Sequence, residues 1–224
     1  TLDPKLKEWV DLTKEYTDKG YNSKTSLMDE NWAAGQSADG RVFGYFLPAW
    51  EISSVLIPNT VDEQLTADKS NAVEGNGGYG NWRACRGPQA YYGGGEWICG
   101  AVGADNTDIV ADIMRAMTCN TGCMKAIAEG EQDFVNNTDV IEELIDEDCT
   151  NDFLGGQNLF ELLAPIADEI SFSDTLSPYD YDCNRMFCDA LKPYFEGSIT
   201  YEQALEEFSR DITALYSEIS SELY

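Results

Sequence analysis

The sequence predicts a helix-rich α/β chain. Apolar residues recur at helical spacing through most of the chain, and three runs of β-forming residues cover 41–46, 82–85 and 97–102. The first of these runs leads directly into a predicted helix that begins near Trp50. In α/β proteins such a junction faces the ligand crevice, because the helix N-terminus and the loop beyond the strand lie there. The other interpretation of Trp50, an anchor of the helix in the core, stays open.

The composition excludes several classes of function. The chain has 224 residues, with 14 Lys plus Arg against 41 Asp plus Glu, and its net charge of -27 argues against nucleic acid or anionic membrane as a partner. Histidine is absent, which excludes imidazole triads, His-ligated zinc and HExxH proteases. No acidic cluster has calcium-loop spacing and no phosphate-binding glycine motif is present, so neither metal nor cofactor is expected.

The seven cysteines favour buried thiols over a metal site or a disulfide framework. Their number is odd and no CxxC motif occurs, so a zinc site is not expected. Cys85 and Cys99 lie on two strands predicted to be neighbours. A bridge between them is one interpretation, and a small buried apolar role for each is the favoured one.

Helices are predicted along the rest of the chain. Asp3 and Pro4 form an N-cap and first helical residue, and Thr200 with Gln203 forms a capping box for the last helix. The predicted helices cover 3–19, 28–34, 47–56 with a stop at Pro58, 107–117, a segment after Thr121, one capped at Asn137 or Thr138, 159–167, 177–196 and a segment from Thr200. The three short helices between 107 and 146 are expected to pack as one unit, and 60–79 is expected to be an extended polar connection.

The segment 82–100 is the strongest candidate for a ligand site. Glycines at 93–95 let the backbone approach a ligand closely, and the aromatic residues around them offer flat faces with polar edges, namely Trp82, Tyr91, Tyr92 and Trp97. A sugar ring presents C–H groups on one face and hydroxyls at its rim, so it fits such a surface. The alternative is a plain hairpin whose aromatic residues belong to the core.

Five segments carry a resemblance to a known family. They are VFGYFLPAW (42–50), GNWRACRGPQAYYGGGEWICG (80–100), DFLGGQN (152–158), LSPYDYDCNRMF (176–187) and KPYFEGSITYEQAL (192–205). In this order and spacing, the chain from residue 9 to its end resembles the C-terminal portion of a family 1 extracellular solute-binding protein. Such proteins are the sugar-binding components of bacterial ABC importers and are related to maltose-binding proteins.

The resemblance implies a periplasmic-binding-protein-like type II fold with two α/β lobes. Residues 1–95 and 158–224 would form the second, C-terminal lobe, and 100–152 would return to the first, N-terminal lobe. The segments 96–99 and 153–157 would be the crossing or hinge segments. An N-terminal half of the same protein, missing from this chain, would complete the cleft.

The same resemblance implies a function and a set of binding residues. Trp50 and Trp97 match positions where aromatic rings stack on sugar, and Tyr179 and Asp180 match a stretch that faces the cleft. Two further candidates, Arg83 and Glu96, lie beside the crossing and are expected to bond sugar hydroxyls. The chain would capture a sugar or oligosaccharide by hinge closure, without catalysis, and deliver it to an ABC transporter permease. The full-length protein would be extracellular and lipid-anchored on a Gram-positive type of cell.

Two other classes of function stay open. A glycan-active hydrolase, or an accessory fragment of one, would use two carboxylates across a cleft, although no pair among the 41 acidic residues stands out. A structural interaction domain would bury both Trp50 and Trp97 and would have no ligand.

Overall fold

A computed structural model describes residues 2–37, 39–60, 77–171 and 176–217. The chain divides into two compact units. The terminal unit comprises Thr1–Ser26 with Phe172–Tyr224, and the central unit comprises Leu27–Ser171.

Helices dominate both units. In the described part of the chain, helix α1 covers Pro4–Asp18, α2 Glu30–Ala34, a π-helical turn Ile52–Leu56, α3 Ile57–Thr60, α4 Thr107–Cys119, α5 Thr121–Glu131, α6 Thr138–Asp146, α7 Leu159–Ala167, α8 Asp180–Phe195 and α9 Tyr201–Leu215. The described residues are 53% helical, which confirms the prediction of a helix-rich chain.

The terminal unit is built on helices α1, α8 and α9. Its buried residues are Val10 of α1, Phe187 and Leu191 of α8, and Ala204 of α9, which form one hydrophobic cluster. Aromatic rings extend this cluster, because the Trp9 ring lies edge-on to Phe195 with ring centroids 5.8 Å apart. Burial of these apolar faces holds the three helices together.

The central unit has two hydrophobic clusters. One joins α5, α6 and α7 through Met124, Ala128, Val135, Val140, Ile141, Leu144 and Phe160. The other joins Leu56 of the π-helical turn to Phe153, Leu154 and Leu159. Helix α4 contacts α5, as expected for the unit of three short helices, but it has no buried residue and contributes none to this cluster. The core there uses α7 in its place.

The predicted N-caps at Asp3 and Thr200 are confirmed, whereas the helices predicted from 28 and from 177 begin later, at Glu30 and Asp180. The Asp3 carboxylate accepts a hydrogen bond from the Lys5 amide, and Thr200 and Gln203 form the reciprocal capping box. The predicted stop at Pro58 is wrong, because helix α3 includes that residue. Pro58 lies in the first turn of α3, where a missing amide proton is tolerated.

The three predicted strands are not formed. Residues 41–46, 82–85 and 97–102 carry no strand, and the pairing found in the described residues is one isolated antiparallel bridge between Asn151 and Gln157. A β-forming run becomes a strand only where a second backbone can pair with it. At Ala84 a side chain pairs with the backbone in place of another strand. The Ala84 amide donates to Gln157 Oε1 at 2.9 Å, and its carbonyl accepts from Gln157 Nε2 at 2.8 Å. A side-chain amide therefore occupies the place of a partner strand.

The cysteine expectations also need correction. All seven thiols are free, so the Cys85–Cys99 bridge is not formed. The buried role favoured for these two residues is wrong as well, because both side chains are exposed. Without paired strands around it, the segment that carries them has no layer of structure to cover it.

Two further predictions are not tested by the described residues, and a separate finding concerns membrane-spanning helices. Most of the polar connection expected over 60–79 lies outside the described residues. The assignment of segments to two lobes and two crossings is tested by no contact within this chain and stays a prediction. No helix in the described ranges is both long and apolar enough to span a bilayer.

Candidate ligand-binding site

The predicted residue Trp50 and the glycines at 93–95 meet in the central unit. The indole N–H of Trp50 donates a hydrogen bond to the main-chain carbonyl of Gly93, with 3.0 Å between nitrogen and oxygen. Trp50 lies two residues before the π-helical turn, whose N-cap is Glu51, and such turns are frequent at functional sites. We call residues 91–95 the glycine loop, and the indole holds this loop against the start of the helix.

The close approach requires glycine. A Cβ atom at Gly93 would lie 2.4 Å from Cβ of Pro48, well inside van der Waals contact. Gly94 has φ +98°, a backbone conformation that other residues rarely adopt, and a Cβ there would lie 4.0 Å from the Trp50 indole nitrogen. The glycines thus let the loop backbone lie directly on Pro48 and Trp50.

Aromatic faces remain accessible beside this contact. The Trp50 side chain is half-buried, while Tyr91 is 54% exposed and Tyr92 is 50% exposed. The Tyr92 hydroxyl turns back over the loop, since a Cβ at Gly95 would lie 2.7 Å from it. These aromatic residues offer a flat surface with polar edges, and we call Trp50, Tyr91 and Tyr92 the aromatic patch.

Glu51 is a buried carboxyl group next to the aromatic patch. It is 5% exposed, and its Oε2 atom has no hydrogen-bond partner within the described part of the chain. Burial raises the pKa of Glu51 above its ordinary value of 4.5, because the charged form loses its hydration. Burial also raises the pKa of Tyr91, and the negative charge of Glu51 raises it further.

The sequence argument missed Glu51. Its local signal is an acidic residue within the apolar run 49–57, directly after a tryptophan at a predicted helix start. An isolated charge in such a run is either turned to solvent or buried for a reason. The choice between these depends on contacts that are distant in sequence, and here the structure buries the side chain.

Trp97 and Glu96 lie after the glycine loop. The Trp97 side chain is 82% exposed, so the interpretation in which both predicted tryptophans are sealed in the core is wrong for Trp97. The charge of Glu96 affects Asp133. Burial raises the pKa of Asp133, a hydrogen bond from the Phe134 amide lowers it, and the negative charge of Glu96 raises it. The structure records no hydrogen bond or ring contact between Trp97 and Trp50, both of which it describes.

Arg83 is turned toward main-chain carbonyl groups. Its Nη1 atom donates to the carbonyl of Gly80 at 3.1 Å and to that of Trp82 at 2.7 Å. The guanidinium also covers Gly155, where a Cβ would lie 2.1 Å from Nη1. These contacts give Arg83 a structural role at the Gly155 turn, and its role in sugar binding stays a prediction.

Tyr179 and Asp180 belong to the terminal unit. The Tyr179 ring lies edge-on to Tyr216 with centroids 4.8 Å apart, and it occupies the N-cap position of α8. Asp180 Oδ2 accepts a hydrogen bond from the Ser177 amide at 2.8 Å. Both residues thus stabilise the start of α8, and their predicted place in a cleft stays a prediction.

No cluster of three or more Cys, Asp or Glu side chains in the described ranges is arranged to hold a metal ion. The chemistry that the central unit offers is therefore that of the aromatic patch, the exposed Trp97 indole and the buried carboxyl group of Glu51. Flat aromatic faces bind apolar C–H groups, and a buried carboxyl group binds a hydrogen-bond donor.

No family model matches the chain, and neither the curated proteins nor the solved structures contain a match to it.

Proposed function

We propose that this chain is the carbohydrate-binding component of a bacterial ABC importer. It captures a sugar or oligosaccharide between two lobes by hinge closure and delivers the sugar unchanged to the permease. The second lobe wall comes from an N-terminal half of the same protein. In the full-length protein the chain is extracellular, lipid-anchored and folded as a periplasmic-binding-protein-like type II protein.

The hydrogen bond from Trp50 to Gly93 is the observation that carries this proposal. It joins two of the five segments that resemble solute-binding proteins, and it brings the Trp50 indole to the glycine loop that carries Tyr91 and Tyr92. A pyranose ring needs an apolar face for its C–H groups and polar groups for its hydroxyls. The aromatic residues of the patch suit the first need, and the exposed Tyr91 side chain carries a phenol that suits the second.

The buried carboxyl group of Glu51 bears on the alternative, a glycan-active hydrolase. A retaining or inverting glycosidase needs a second carboxylate within roughly 5–10 Å of the first. Burial raises the pKa of Glu51, and no second carboxylate stands out in the sequence as its partner. We keep capture without turnover as the proposed function, and an assay for new reducing ends distinguishes it from hydrolysis.

Saturation-transfer NMR on the 224-residue chain tests the proposal, because it detects weak binding by a single lobe. Irradiation of aromatic protons should transfer saturation to maltotriose. Trp50→Ala and Trp97→Ala should each weaken binding by roughly two- to tenfold, which is the loss of affinity expected when one aromatic ring no longer stacks on the sugar. Phe43→Ala is the matched control, since Phe43 is a fully exposed aromatic residue of the same unit outside the candidate site.

Two outcomes would contradict the proposal. One is the absence of saturation transfer to maltose, maltotriose and cellobiose alike. The other is the appearance of new reducing ends when the chain is incubated with these sugars, which would assign it to the hydrolases. A loss of transfer in Phe43→Ala equal to that in Trp97→Ala would show that contact with the sugar is unspecific.

A further inference from the structure

We infer that Glu51 selects the ligand of this site, and that the ligand is a sugar carrying a protonated amino group. The inference rests on the proposed function and assigns a substrate class to it. It is argued from the burial of Glu51, the charge of the chain, the neighbouring Trp50 and the glycine loop that Trp50 contacts.

The Glu51 side chain is almost fully buried. Its backbone amide donates to the carbonyl of Pro48 at 3.1 Å, which fixes the residue at the helix start. One of its carboxyl oxygens, Oε2, is shielded from solvent and has no hydrogen-bond partner among the described residues. A buried acceptor without a donor is costly, and a ligand that brings a donor removes this penalty.

The missing donor should be a cation. No lysine or arginine of the described residues forms an ion pair with Glu51. The whole chain carries a charge of -27, so its field concentrates cations and not anions. A hydroxyl would supply a hydrogen bond only, whereas an ammonium group also neutralises the carboxylate in a place where water cannot.

The neighbouring rings favour the same ligand. Trp50 directly precedes Glu51 in the chain, and its indole bonds to the glycine loop, which carries Tyr91. Aromatic faces attract an ammonium group through the negative charge density of the ring. An amino sugar keeps the C–H face of the pyranose, so it stacks on the aromatic patch while its ammonium group pairs with Glu51.

A ligand reaches Oε2 of Glu51 only if part of its surroundings moves, because this atom is shielded from solvent. Trp50, which directly precedes Glu51 in the chain, contacts the glycine loop. The loop is fastened to Trp50 by the hydrogen bond to the Gly93 carbonyl. Glycines at 93–95 give the backbone the freedom to swing, so binding should release this bond and change the environment of the indole.

The test compares three probes on the 224-residue chain by NMR titration at equal ionic strength. They are D-glucosamine at a pH where its amine is protonated, D-glucose and N-acetyl-D-glucosamine. Glucosamine should bind at least about tenfold more tightly than the other two, as expected for a hydrogen bond between charged groups. Glu51→Gln should remove this preference and keep glucose binding. Glu142→Gln, which removes the same charge from an exposed site in the same unit, should preserve the preference.

A second measurement covers the case in which Glu51→Gln fails to fold. The carboxyl carbon of Glu51, labelled with ¹³C in the unsubstituted chain, should shift on addition of glucosamine and not on addition of glucose. Equal affinity for all three sugars, or an unchanged ¹³C signal, would overturn this inference and leave the proposed function standing. Failure of all three sugars and of maltotriose to bind would overturn the proposed function, and this inference with it.

Discussion

The indole of Trp50 and the carbonyl of Gly93 are joined by a hydrogen bond that spans 43 positions of the sequence. This bond links the start of the π-helical turn to the glycine loop, two segments that share no regular secondary structure. It explains how a loop without a paired strand is held in place. The arrangement of the aromatic patch depends on it.

Removing this hydrogen bond should loosen the glycine loop. Trp50→Phe keeps an aromatic ring and deletes the N–H donor, so we expect a loss of about 0.5–1.5 kcal/mol in the free energy of unfolding. Amide hydrogen exchange in 91–95 should become faster. The control is Trp97→Phe, whose exposed side chain should change stability by less than about 0.5 kcal/mol. Unchanged exchange in Trp50→Phe would show that the loop is held by other contacts.

A methyl group at Gly93 should separate the loop from Pro48. Because a Cβ there would lie 2.4 Å from Cβ of Pro48, Gly93→Ala should destabilise the chain by about 1–3 kcal/mol in urea unfolding. Gly87→Ala is the control, since no atom lies within 4 Å of its added Cβ. Similar stabilities for the two variants would contradict the close packing of the loop on Pro48.

The stability contributed by Glu51 should depend on pH. Burial raises the folded-state pKa of Glu51 above the ordinary value of 4.5, so the group favours the folded state most when protonated. Below pH 4.5 the free energies of unfolding of the original chain and Glu51→Gln should agree. As the pH rises through the folded-state pKa, the original chain should become progressively less stable than the variant.

Chemical unfolding at a series of pH values measures this difference. Glu142→Gln serves as the control, because Glu142 is exposed and its removal takes the same charge from the chain. A difference for Glu51→Gln that stays constant with pH would show that water reaches the Glu51 carboxylate.

Two phenylalanines should differ sharply in their contribution to stability. Phe153 is 1% exposed and belongs to the cluster that also contains Leu56, so Phe153→Ala should cost about 3–5 kcal/mol. Phe43 is fully exposed, and Phe43→Ala should change the free energy of unfolding by less than about 0.5 kcal/mol. Equal losses in thermal or urea unfolding would contradict this placement of the core.

Local interactions explain why the helices could be predicted. The N-caps at Asp3 and Asn137 and the capping box of Thr200 and Gln203 join residues two or three positions apart, so their pattern is visible in the sequence. The strand predictions were wrong for the opposite reason. Pairing of 41–46 or 82–85 needs a distant backbone, and β-forming residues do not specify one.

The candidate site also combines features that the sequence indicates with contacts that only the folded chain reveals. Residue types indicated Trp97 and the glycines at 93–95, because aromatic rings beside a flexible backbone suit a sugar. Trp50 was indicated by its place at a predicted strand–helix junction and by the family resemblance. They could not show that Arg83 turns to the carbonyl groups of Gly80 and Trp82, or that the Trp50 indole bonds to Gly93. Such partners are chosen by the folded backbone.

The amino-acid sequence by itself determined the acidic charge, the absence of imidazole chemistry and most helix boundaries, since each follows from composition or from contacts within one turn. Only the tertiary structure decided that Glu51 is buried and that Trp97 is exposed. Burial depends on which distant segments cover a side chain, and the free energy of that packing is summed over many contacts that no local pattern records.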